Sequence, residues 1–136
     1  MSDTPPLAVI VHSGTFEKVH YALVLASSAL ATGRPVRLFF TGGACRALTP
    51  DWRAMPAEEG SDAGSVDDGF AARGIGTFPV LLSACLELGA GLMVCEMGLK
   101  AIGLNRSALD PALTIQEGGA VTFLQTAGAD AQLLLV

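Results

Sequence analysis

Two apolar runs joined by one helical stretch constrain this chain more than anything else in it. Leu7 to Val11 is an unbroken apolar, β-branched run, the pattern of a strand buried on both faces. Ser13-Gly14-Thr15 breaks it and supplies N-cap residues. Val19, Ala22, Leu23, Ala26, Ala29 and Leu30 then recur at helical spacing. Gly33 and Pro35 stop the helix, and Val36 to Phe40 reads as a second buried strand. A strand, a helix and a strand in so short a stretch form the βαβ unit of a parallel sheet.

The alternation returns further along. Pro79 to Leu88 predicts a helix with Leu81, Leu82, Cys85 and Leu88 on one face. Gly91 to Val94 predicts a third strand, ending at Cys95, and Glu96 to Gly103 a short helix. A short strand is expected around Leu113 to Ile115. A helix opens at Gly118-Gly119 with Val121, Leu124 and Ala127 inward, and a final buried strand runs from Ala131 to Val136. The expected fold is α/β: one domain, a doubly wound, mostly parallel five-stranded sheet flanked by about four helices. At 136 residues one domain buries an adequate core. Residues 43–77 stand apart. They are rich in Gly, Ala, Asp and Pro, carry Asp51, Glu58, Glu59, Asp62, Asp67 and Asp68, and show little hydrophobic period. They read as a long acidic, Gly-rich excursion, solvated and partly mobile.

Composition narrows the function classes. The chain is 51% hydrophobic and 15% charged, against about 25% charged for an average soluble domain. Such a chain is expected to hide surface in a homo-oligomer. A net charge of −5 argues against a nucleic-acid partner. The apolar stretch from Val80 to Leu104 is interrupted by Glu87, Glu96, Lys100 and several glycines, so no membrane span is expected. The first residues lack the basic start of a signal peptide. Cysteines at 45, 85 and 95 fit no disulfide framework, which suits a reducing cytoplasm. Gly42-Gly43 and Gly74-Ile75-Gly76 match neither the dinucleotide fingerprint nor the P-loop, and no paired metal-ligand spacing occurs. No cofactor and no metal are expected.

Ligands of an open parallel sheet bind outside the carboxyl ends of its strands. Those ends carry His12 and Ser13, then Thr41-Gly42-Gly43 and Cys45, then Cys95, then Gln116, Glu117 and Gly118. Cys95 is the leading candidate, because a thiol at a strand-to-helix junction meets unpaired N–H groups that favour the thiolate. Glu96 beside it opposes that effect. Cys45 is a candidate resolving or relay thiol, and His12 a candidate to orient or protonate a ligand. Ser13 and Gly118 complete the auxiliary set. Cys85, on an apolar helix face, and His20, on the first helix, read as structural. From the residues alone three functions stand open. One is covalent thiol chemistry at Cys95, with nothing in the residues to say what the thiol reacts with. Another is a non-catalytic oligomeric module binding a small ligand or partner protein at the strand ends. The third is a thiol redox sensor or peroxidase in which Cys45 resolves oxidised Cys95.

One resemblance adds to this. The segment Gly89-Ala90-Gly91-Leu92-Met93-Val94-Cys95-Glu96, then Ile102-Gly103-Leu104, Gln116-Glu117-Gly118-Gly119-Ala120 and Ala127-Gly128-Ala129-Asp130-Ala131-Gln132-Leu133, resembles the DsrE/DsrF-like family of small sulfur-relay proteins, which includes TusD-type and DsrE2-like members. The first strand, the Ser13-Gly14 turn and the second strand ending in Thr41-Gly42-Gly43 are similar as well; roughly residues 46–77 are not covered. The resemblance implies a parallel α/β fold and assembly as a homotrimer or homohexamer. It also implies a persulfide on Cys95, taken from a donor protein and passed to an acceptor thiol.

Overall fold

A computed structural model describes residues 4–136. Five strands, β1 (Leu7–Val11), β2 (Val36–Phe40), β3 (Gly91–Cys95), β4 (Gln116–Gly118) and β5 (Gln132–Leu135), form one sheet in the order β4-β3-β2-β1-β5. Every pairing is parallel. The chain steps outward from β1 to β4 and then returns to lay β5 on the other side of β1. The sheet is therefore doubly wound, as the alternation predicts.

Side-chain alternation divides the core between the two faces of the sheet. Leu7, Val9, Val11, Val36, Leu38, Phe40, Leu92 and Val94 point to one face and pack beneath α1 (Phe16–Ala31) and α3 (Phe78–Glu87). Ala8, Phe39, Met93 and Cys95 point to the other, where Phe123 and Ala127 of α5 (Ala120–Ala127) cover them. Gly33 ends α1 at φ +83°, a conformation that glycine adopts without the Cβ penalty.

Residues 43–77 are folded, which corrects the expectation of a solvated excursion. They contain most of a 3-10 helix at Gly42–Leu48, two more at Trp52–Ala54 and Glu58–Gly60, and α2 (Ala63–Ala72). Ala44, Cys45, Ala47, Leu48, Met55 and Ala63 are buried. Two of the acidic residues cap helices rather than solvate a loop. Asp62 accepts the Ser65 N–H (2.8 Å) at the start of α2, and buried Asp67 accepts the Phe78 N–H (2.8 Å) at the start of α3. Short 3-10 turns carry too few residues to show a hydrophobic period.

Three further expectations shift. The fourth strand is Gln116–Gly118, because Leu113 and Ile115 turn into the α1 face before pairing begins. Helix α5 is rolled so that Phe123, not Val121 or Leu124, meets the sheet, with its ring stacked on Phe39 (4.6 Å between centroids, 14°). The larger aromatic contact decides the roll. The last strand is an exposed edge rather than a buried strand, and Leu133 and Leu135 are open to solvent. No helix among the described residues is long and apolar enough to cross a membrane.

Candidate functional site

The carboxyl ends of β4, β3, β2 and β1 lie side by side and carry Gly118, Cys95, Thr41 with Cys45 beyond it, and His12 with Ser13, in that order. All five candidate residues thus share one edge of the sheet, though they span more than a hundred positions of sequence. Cys95 is the last residue of β3 and the N-cap of α4 (Glu96–Ala101). Its Sγ accepts the Gly98 N–H at 3.3 Å. The side chain lies on the α5 face with Met93, Phe39 and Phe123, and the residue is 3% exposed.

Gly98 fixes this geometry, and sequence reasoning missed it. A Cβ there would lie 2.5 Å from both the Gly42 amide nitrogen and Thr41 Oγ1, so only a glycine lets α4 press against the end of β2. The approach repeats one strand over, where a Cβ on Gly43 would lie 2.7 Å from Gly14 Cα. The signal available in sequence was a glycine inside a six-residue helix, where it costs about 1 kcal/mol against alanine and so needs a packing reason. Glu96 turns outward, paired with Lys100 at 3.9 Å, and its carboxylate is well exposed.

The auxiliary residues divide. Gly118 is the register partner of Cys95, and a Cβ there would meet Met93 Sδ at 3.3 Å. Cys45 is fully buried on the α1 face, its Sγ donating to the Phe40 carbonyl (3.6 Å). Burial, reinforced by the neighbouring Cys95 sulfur, pushes its thiol up to about 12. Cys85 is likewise pushed up, to about 11, by burial, and its Sγ contacts the Leu23 carbonyl (3.8 Å). His12 is exposed, with its ring against Gly42. Strand spacing puts the end of β1 roughly 10 Å from that of β3. Ser13 Oγ is engaged locally by the Thr15 N–H (3.1 Å). The amides of His12 and Ser13 both donate to the Val136 carbonyl (2.9 and 3.2 Å), which ties the end of β1 to the residue after β5. His20 is structural, as read: it is buried, and its Nε2 meets the Gly76 carbonyl at 2.8 Å. Among the described residues no group of His, Cys, Asp and Glu is arranged to hold a metal.

The fold matches one seen before. The chain is similar to the ychN protein from E. coli. The two share 20% identity over 96% of this chain and 99% of the other, with a TM-score of 0.60. That neighbour has the DsrE/DsrF-like fold, and at this identity the likeness is one of fold alone. No family model and no curated protein matches the chain.

Proposed function

We propose that this chain is a sulfur carrier of the DsrE/DsrF-like kind, with Cys95 as the sulfur-bearing residue. The observation that carries the reading is the Gly98 N–H held 3.3 Å from Cys95 Sγ at the carboxyl end of a central strand. This N–H fixes the sulfur at the strand end and donates a hydrogen bond to it there. In the first step the Cys95 thiolate attacks the outer sulfur of a donor persulfide, forms the new S–S bond and releases the donor as its thiolate. In the second an acceptor thiolate attacks the outer sulfur now on Cys95 and releases the Cys95 thiolate unchanged. No net oxidant or reductant is consumed. Donor and acceptor are other proteins. The low charge of the chain supports a homo-oligomer, for which the family resemblance implies a homotrimer or homohexamer, and three free thiols support a reducing, cytoplasmic setting.

The 3% exposure of Cys95 favours a second reading, in which its sulfur only caps α4 and the strand ends form a binding module. The redox-sensor reading is weaker, because Cys45, its resolving thiol, is fully buried and keeps its proton to about 12. The test is incubation with a polysulfide followed by peptide mass spectrometry. The carrier reading expects one added sulfur on Cys95 that a small thiol removes, and none on the Cys95→Ser variant. A binding module leaves Cys95 unmodified. A redox sensor instead forms a Cys45–Cys95 disulfide with peroxide.

A further inference from the structure

A cleft of about 690 Å³ opens beside the 3-10 helices Gly42–Leu48 and Trp52–Ala54, and none of the three cysteines lines it. Arg46, near the end of the first of these helices, and Asp51, just before the second, both do. Neither side chain has a hydrogen bond or ion pair among the described residues, so the two do not pair with each other. Arg53 lines the cleft as well and is held in place. Its Nη2 donates to Asp68 (2.9 Å), and its guanidinium lies over the Trp52 ring (5.6 Å). A Cβ on Gly64 would meet that Nη2 at 2.9 Å, so the glycine makes room for the guanidinium. Only one of the five N–H groups of Arg53 has a partner among the described residues. Met55, Leu104 and Ala108 supply apolar wall. Buried Thr49 donates its Oγ1 to the Arg46 carbonyl (2.8 Å), which fixes the backbone beneath the arginine. The Asp110 amide donates to the Leu48 carbonyl (2.8 Å), which ties the segment carrying Leu104 and Ala108 to the one carrying Arg46.

We infer that this cleft binds a small organic zwitterion, with its carboxylate on Arg46 and its ammonium on Asp51. Free amino acids and short peptides carry that chemistry. An unpaired cation and an unpaired anion lining one cavity complement a ligand that bears both charges. A plain anion is opposed by Asp51, and a plain cation by Arg46 and Arg53, so the site rejects each. The arginine fork takes a carboxylate through two parallel hydrogen bonds. The apolar wall of Met55, Leu104 and Ala108 suits a carbon skeleton rather than an inorganic ion. The volume falls within the range of small-molecule sites and leaves room beyond a single amino acid, and Arg53 is placed to take a second carboxylate. The inference goes beyond the Cys95 reading and rests on no step at that thiol.

Titration of the full, isotope-labelled chain followed by amide NMR shifts tests it, with leucine, glutamate, alanyl-leucine and leucyl-glutamate as probes. The inference expects at least one probe to give saturable shifts confined to residues 46–55 and 104–108. Arg46→Gln and Asp51→Asn each weaken that binding about tenfold or more, the loss expected for one charge-assisted hydrogen bond. Tighter binding of the dipeptides identifies a peptide as the ligand, and tighter binding of leucine or glutamate a free amino acid. N-acetylation of the best probe removes its ammonium, so it costs as much as Asp51→Asn and leaves that variant no weaker than wild type. Failure of all four probes to saturate overturns the inference, as does saturation elsewhere on the chain. So does an acetylated probe that binds as tightly as the free one, which decides the matter without any variant having to fold. Sulfur loading at Cys95 bears on none of these outcomes.

Discussion

Replacing Gly98 by alanine sets two effects of opposite sign against each other. Alanine is the better helix former by about 1 kcal/mol, so propensity alone predicts a stabilised α4. The added Cβ, however, would sit 2.5 Å from the Gly42 nitrogen and Thr41 Oγ1, and 2.9 Å from Thr41 Cα. Two of those three atoms are backbone, so no rotamer change relieves the contact. Overpacking against a rigid neighbour costs typically 1–3 kcal/mol and more where backbone must move, which puts the clash at about 3 kcal/mol. The clash wins, and Gly98→Ala is expected to destabilise by about 2 kcal/mol. For a domain of this size that lowers Tm by about 6 °C. Relief comes by α4 lifting off β2, which lengthens the Gly98 N–H to Cys95 Sγ bond, so sulfur loading of Cys95 falls in the same variant. Thermal unfolding by circular dichroism and polysulfide loading by mass spectrometry read the two effects. A Gly98→Ala protein as stable as wild type, with undiminished loading, refutes the reasoning.

Asp67→Ala removes a buried carboxylate that caps α3 through the Phe78 N–H, and urea denaturation is expected to give a loss of about 1–2 kcal/mol. Phe123→Ala deletes the ring stacked on Phe39 and is expected to cost about 3–5 kcal/mol. Because Phe123 lies in the cluster over Cys95, alkylation of Cys95 should accelerate more than that of Cys85; equal acceleration of both contradicts this. Stability should also fall in alkali. Cys45 and Cys85 hold their protons to about 12 and about 11 in the folded chain, against an ordinary 9.0. Their contribution is therefore full below 9.0 and is lost as pH rises toward the folded values, by at most about 1.4 kcal/mol per pH unit for each thiol. Denaturation midpoints taken on both sides of 9.0 check this, and a Cys45→Ala protein should show a shallower decline.

The sheet was legible because its inner strands obey a simple rule. β1 and β3 are buried on both faces and read as continuous apolar runs, β2 departs from one only at its exposed Arg37, and Gly33 marks the end of α1. The edges were not. β4 is three residues of Gln, Glu and Gly, with no strand pattern to find, and β5 looks buried because its leucines are apolar, although two of the three face solvent. Periodicity also failed on α5, where one aromatic stack outweighs the spacing of Val121 and Leu124. At the site, the sheet edge shared by His12, Ser13, Cys45, Cys95 and Gly118 followed from the topology. Which of them meet did not, because that depends on backbone approaches at Gly98 and Gly43 set by tertiary packing. The acidic stretch misled because Asp62 and Asp67 serve as caps, and a cap is invisible until its helix is placed.

The decisive measurement is peptide mass spectrometry of the full chain after exposure to a sulfane-sulfur donor, with Cys45 and Cys85 as internal controls in the same protein. A carrier gains one sulfur on Cys95, leaves the other two cysteines bare, and gives the sulfur up to an added thiol. A chain that stays unmodified at Cys95, or loads all three cysteines alike, is not a Cys95 sulfur carrier.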